Sequence, residues 1–186
     1  MSMGQLEALQ TLLASDSARM AALAGVAALE LPDCWIGAGF IRDAVWDHLH
    51  GRPSTFPAGD VDVIWFAPEM SDGQVDRDIE RGLGDRLPKF RWSVKNQARM
   101  HRRNGDAPYG SAADAMRHWP ETATAVAARL DGNGIGICAP CGLDDLFALR
   151  LRPTPAFAGK KRAIFQERLS SKRWAERYPL LSITGG

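Results

Sequence analysis

Three cysteines in 186 residues, a small and odd number, leave no basis for a disulfide framework and fit a reducing compartment. No long stretch is free of charge, so no membrane span is expected. Between Met1 and Leu13 there is no basic region followed by a pure apolar run, so no secretory leader is expected and the cytoplasm is the expected location. Internal repeats and low-complexity tracts are also missing. What is present is 45% hydrophobic and 24% charged residues, which excludes intrinsic disorder and describes a chain able to bury a sizeable core. The length fits one domain with a small appendage: an N-terminal helical segment over 1–31 packed on a core domain over 32–186.

The formal net charge of +1 hides an asymmetry. Residues 1–88 hold 6 Lys/Arg against 14 Asp/Glu, whereas residues 89–186 hold 17 against 8. Such a split arises from two solvated surfaces facing different ways, or from a site where metal-binding carboxylates meet anion-binding cations.

Leu6, Leu9, Leu12 and Leu13 form a helical stripe, and Ser15-Asp16-Ser17 caps a second helix that Pro32-Asp33 ends. Cys34-Trp35-Ile36 reads as a buried strand turning at Gly37-Ala38-Gly39 into a helix over Phe40–His50. A strand over Asp60–Phe66, an exposed helix over Asp76–Leu87 opened by acids, and a strand from Phe90 to Val94 follow. The stretch from Asn104 to Ser111 is expected to be loop, and Ala112–Trp119 a short helix stopped by Pro120. Thr122–Leu130 and Ile135–Ala139 flank Asp131-Gly132-Asn133-Gly134, a hairpin signal. A helix from Gly142 and Asp144 through Arg150 and a basic helix over Ile164–Arg177, with Phe165, Leu169 and Trp174 inward, complete the chain. The class is α/β or α+β with a mixed sheet.

Two features carry chemistry. Small residues at Gly37-Ala38-Gly39 let a backbone approach a ligand, and the amides opening the next helix suit a phosphate chain; the same turn also serves as a plain turn. In Asp60-Val61-Asp62-Val63, strand geometry sends both carboxylates to one side. Two adjacent carboxylates at the edge of an apolar run resist burial unless a hard cation such as Mg²⁺ neutralises them. The alternative is a strand beginning at a loop, with Asp60 in the turn and Asp62 exposed.

Together these features resemble the DNA polymerase beta-type nucleotidyltransferase superfamily. Ala38-Gly39-Phe40-Ile41-Arg42-Asp43 is similar to the Gly-Gly-x-Val-Arg-Asp signature of CCA-adding enzymes and poly(A) polymerases, with alanine for the first glycine. A bacterial group of nucleotidyltransferase-like proteins of unassigned function is closer. The resemblance there runs through Gly39–Asp43, Asp60–Val63, Val94–His101, Trp119–Ala125 and Ala139–Phe147, and spans about Trp35 to Trp174.

The resemblance implies an α+β (α/β-like) nucleotidyltransferase fold: a small mixed sheet flanked by helices, with extra helices at both ends. It implies an enzyme that transfers a nucleoside monophosphate from a nucleoside triphosphate to an acceptor (small molecule, protein or RNA) and releases pyrophosphate. Asp60 and Asp62 would be the catalytic pair holding Mg²⁺ or Mn²⁺. Gly37, Ala38, Gly39 and Arg42 would hold the triphosphate, with Lys95, Asn96 and Arg99 as further nucleotide-binding candidates. Arg42 serves equally as an ion-pair partner of Asp43 or Asp47. Active members usually carry a third carboxylate on a later strand, and Arg91–Asn96 has none. The alternatives are a catalytically silent nucleotide-binding module and an RNA-binding module on the same fold.

Asp144 and Asp145 are expected to cap a helix. The basic stretch over 160–177 is expected to be a solvated helix covering the sheet, with an RNA grip as the alternative. Cys138 and Cys141 have Cys-x-x-Cys spacing without a second pair, which points to buried or edge thiols. His48 and His50 fit capping or surface exposure.

Overall fold

The computed structural model describes residues 3–53, 56–57 and 59–184. Helices α1 (Met3–Ala14) and α2 (Ser17–Ala27) lead into β1 (Trp35–Gly37), α3 (Gly39–Leu49), β2 (Val61–Trp65), α4 (Gln74–Arg86) and β3 (Trp92–Asn96). Short helices α5 (Met100–Asn104) and α6 (Ala112–Arg117) precede β4 (Ala127–Asp131) and β5 (Gly134–Cys138). The chain ends through α7 (Asp144–Phe147), β6 (Arg150–Leu151), α8 (Arg162–Lys172), α9 (Trp174–Arg177) and β7 (Ser182–Ile183).

Five strands form one mixed sheet in the order β3-β2-β1-β4-β5. β1 is antiparallel to β2 and β4, while β2 and β3 run parallel and are joined by the crossover helix α4. Because side chains alternate along a strand, the sheet has two different faces. Ile36, Val61, Val63, Trp65, Trp92, Val94 and Ala128 enter the main core with residues of α1–α4, and Trp46 and Trp65 are completely buried there. On the other face Ile64 and Ala127 meet Ala112 and Met116 of α6 in a smaller cluster. Asp62, Ser93 and Lys95 share that second face by register and alternation.

The expected α+β class and mixed sheet are what the chain forms. Several local expectations change. Thr122–Thr124 is a 3-10 turn and the strand starts only at Ala127, because buried Thr122 is hydrogen-bonded to Asp145 (2.6 Å) and to the Arg152 carbonyl. The helix from Asp144 stops at Phe147: Leu149 takes φ +51° and Arg150–Leu151 pair in parallel with Ser182–Ile183. Asp145 provides no cap hydrogen bond; it is buried and ion-pairs Arg152 (2.6 Å) and Arg150 (3.3 Å). The C-terminal helix breaks at Arg173, which takes φ +49° between α8 and α9. Asp76, expected as an exposed helix-opening acid, is buried. Among the described residues no helix is long and apolar enough to cross a membrane.

Candidate functional site

The turn between β1 and α3 is tight for reasons of packing. A Cβ on Gly37 would sit 2.9 Å from the ring of Trp119 and 3.3 Å from the Val126 carbonyl, so only glycine fits beneath that tryptophan. Ala38 takes φ +57° and ψ −126°, a backbone conformation that favours glycine, and its N–H donates to the Val126 carbonyl at 3.0 Å. Helix α3 then starts with no side-chain cap hydrogen bond. The Ile41 and Arg42 amides donate to the Ala38 carbonyl, which leaves those of Gly39 and Phe40 without an intrahelical acceptor, and both residues line a cavity.

Arg42, one turn into α3, folds back over this turn: a Cβ on Gly39 would lie 3.3 Å from its Nη2. The guanidinium donates to Asp43 (2.9 and 2.6 Å) and to Thr124 (3.3 Å), and lies over the rings of Trp46 (5.1 Å) and Trp174 (4.8 Å). Stacking and pairing fix a cation that would otherwise sweep many rotamers. Arg177 reaches the same acids, Asp43 at 3.3 Å and Asp47 at 3.4 Å, which anchors α9 onto α3.

Asp62 stands beside Gly37 in the antiparallel register and beside Ser93 in the parallel one. Burial pushes its carboxyl above the usual range; a hydrogen bond from Ser93 opposes this, the charge of Asp60 adds to it, and Arg42 and Lys172 pull it down. Asp60 is half exposed and paired with Arg91 at 2.7 Å. Both acids line one cavity of about 560 Å³, together with Gly39, Arg42, Arg168 and Lys172. A second chamber of about 580 Å³ meets it at Ala38, Asp62, Arg103, Thr124 and Arg168, and extends over Ser93 and Lys95 toward α5, α6 and α8.

The donor set fits a hard divalent cation. Mg²⁺ is commonly held by one or two carboxylates and completes its shell with water and substrate phosphates, and Asp60 and Asp62 offer that pair at the edge of an open cavity. Among the described residues no third His, Cys, Asp or Glu groups with them; the neighbouring strand offers the hydroxyl of Ser93 instead.

A sequence profile of a nucleotidyltransferase family matches residues 24–183. The chain belongs to this nucleotidyltransferase family. No match is found among curated protein sequences. An NMR structure that reveals a CCA-adding enzyme head domain is 32% identical, with a TM-score of 0.85 over 95% of this chain and 94% of that one. The Bacillus stearothermophilus CCA-adding enzyme in complex with CTP (19% identity, TM-score 0.54) covers 86% of this chain and 39% of its own. The Thermotoga maritima enzyme complexed with tRNA (16%, TM-score 0.52) covers 98% and 40%. The chain thus spans about two fifths of those two enzymes, and at these identities they show the shared fold.

Ala38, Gly39, Arg42, Asp60 and Asp62 line one cavity, with Gly37 beside Asp62 in the strand register, and Lys95 lines the adjoining chamber, its ammonium donating to the Val94 carbonyl at 2.8 Å. Asn96 and Arg99 do not join them. Asn96 is fully buried, its amide held by Ala67, Met70 and Ala98; Arg99 pairs with Asp76 and donates to the Met70 and Asp72 carbonyls. Both tie down the loop after β2. The further cations that line the site are Arg103 of α5 and Arg168 and Lys172 of α8, the last two from the basic stretch expected to be a solvated helix. Arg168 is aimed by Glu121, a fully buried carboxylate that accepts its Nε at 2.7 Å. The sequence signal for Arg168 and Lys172 was the basic stretch itself. Cys138 and Cys141 are half-buried thiols whose pKa values burial raises. His50 bonds the Trp46 carbonyl through Nδ1 (2.7 Å) and accepts from the Leu180 N–H through Nε2 (3.2 Å).

Proposed function

We propose that the protein is a metal-dependent nucleotidyltransferase that moves a nucleoside monophosphate from a nucleoside triphosphate to an acceptor and releases pyrophosphate. The observation that carries this reading is the half-buried Asp62 carboxylate, with Asp60, beside an uncapped helix start and the cations Arg42, Arg103, Arg168 and Lys172. Asp60 and Asp62 would hold Mg²⁺ or Mn²⁺. When bound, such a cation neutralises phosphate oxygens and lowers the pKa of a hydroxyl. The first amides of α3 with Arg42, Arg168 and Lys172 bind and orient the β- and γ-phosphates, a cationic cradle in a partly dry site. Trp174 and Trp46 keep the Arg42 guanidinium in place while substrate exchanges. The acceptor oxygen bonds to the α-phosphorus, the bond from that phosphorus to the bridging oxygen breaks, and pyrophosphate leaves with the electron pair; the hydroxyl proton is released to water.

Mg²⁺ with a nucleoside triphosphate is expected to raise the melting temperature of the wild type but not of Asp62→Asn. Absence of stabilisation by all four triphosphates sinks the reading. A second reading, a nucleotide-binding module that does not turn over, is favoured by one observation: Ser93, not an acid, flanks Asp62 on β3. Pyrophosphate release in the presence of mixed acceptors separates the two, since only the enzyme produces it.

A further inference from the structure

The two cavities meet at Asp62 and differ in chemistry. One holds the helix start, Arg42 and Lys172; the other is walled by Trp119, Phe157 and Ile164 and carries Gln97, Asn104 and His118. Phosphoryl displacement requires the attacking and leaving oxygens to be roughly in line through phosphorus. A triphosphate whose leaving end lies along the α3 turn therefore receives its nucleophile from the side away from that turn, and the second chamber is the cavity that extends from Asp62 beyond the turn toward Asn104, Phe157 and Ile164.

We infer that this chamber is the acceptor site, and that it takes a small ring-bearing phosphate ester with a free hydroxyl, a nucleoside monophosphate or a sugar phosphate. The inference rests on the transfer reading above. Size is the first argument: about 580 Å³ suits one compact ligand. Charge is the second. Arg103 faces the chamber with no ion pair to any described residue, and Arg168 reaches it from Glu121. The acid nearest the far end, Asp106, has its charge offset by the Lys161 ammonium and accepts the Tyr109 hydroxyl at 2.6 Å. The Lys161–Asp106 pair also ties the start of α8 to the loop after α5. It thereby bounds the chamber and favours a small acceptor over a threaded polymer. The aromatic walls suit a flat ring.

The test uses the full chain loaded with Mg²⁺ and inorganic tripolyphosphate, which fills the phosphate cradle. AMP, ribose 5-phosphate and a short single-stranded RNA lacking a 5′-phosphate are then titrated by calorimetry. Binding of AMP or ribose 5-phosphate alongside tripolyphosphate supports the inference, and the tighter of the two names the source. Competition with tripolyphosphate, no binding of either, or binding of the RNA alone overturns it. If tripolyphosphate itself does not bind, the transfer reading falls first and takes the inference with it. Ile164 is 49% exposed on α8, so substitution there spares the fold. Ile164→Glu is expected to weaken the small ester at least about tenfold, from the loss of an apolar contact and the added repulsion, with Ile164→Leu close to wild type and tripolyphosphate binding unchanged in both. An unchanged ester affinity in Ile164→Glu also overturns the assignment.

Discussion

Asp62 and Asp76 are carboxylates close to the same strand pair, one half-buried and the other buried, and their surroundings differ. Asp76 is 4% exposed and saturated: it accepts from the Trp65 indole (2.9 Å), from the Asn96 N–H (3.2 Å) and from the Arg99 guanidinium. Asp62, on the opposite face of the sheet, has one hydroxyl donor, sits at a cavity, and pays for burial with a raised pKa. A carboxylate whose lone pairs are all used holds a fold together. One left short of donors beside open space is arranged for a ligand that the protein itself does not supply.

The largest effect is expected from breaking the saturated partner. Asp76→Ala leaves the Arg99 charge and two N–H groups without their acceptor, which should cost about 3–5 kcal/mol. At about 2–4 °C per kcal/mol for a chain of this size, calorimetry should record a drop of roughly 10 °C. A loss under about 1 kcal/mol would mean that the Asp76 cluster is not structural.

Next in size is the turn that presents Asp62 to its cavity. Ala38→Gly relieves a positive-φ backbone and should stabilise the protein by about 1 kcal/mol, read as a rise in urea midpoint at constant slope. A decrease would show that the Cβ of Ala38 packs favourably enough to outweigh the backbone cost.

The smallest effect sharpens the comparison from the other side. Because burial raises the Asp62 pKa in the folded state, its contribution to stability is fully present below the unfolded value and is lost as pH rises through the folded value. Asp62→Asn should therefore equal the wild type in acid and melt slightly higher at neutral pH when no divalent cation is present. For the same reason cation-dependent stabilisation of the wild type should weaken as pH falls through the raised pKa. A variant less stable than wild type at neutral pH would place Asp62 with Asp76 as a structural group.

Much of the fold was legible. Leucine spacing marked the first helices, β-branched and aromatic runs marked β2 and β3, and Asp131-Gly132-Asn133-Gly134 marked the β4–β5 hairpin. Errors fell where a tertiary contact overrode local preference: Thr122 held out of the strand by Asp145 and Arg152, and the C-terminal helix broken at Arg173 so that Trp174 could stack on Arg42. In the site, the turn and the acid pair were visible because strand alternation and helix starts dictate direction. The opposing cations were not. Lys95 lines the chamber, but Arg99 four residues on is spent on Asp76, while Arg168 and Lys172 arrive from more than a hundred residues away.

The division of charge between the halves of the chain now has a location. By itself the sequence determined the family, the mixed sheet, and the acid pair two residues apart beside a glycine turn, since these follow from local periodicity and short motifs. Only the tertiary structure decided which cations face that pair, that Asn96 and Arg99 support a loop instead, and that two chambers meet at Asp62. The reason is physical: a strand or turn sets the direction of its own side chains, whereas the partner across a cavity is chosen by how distant helices pack.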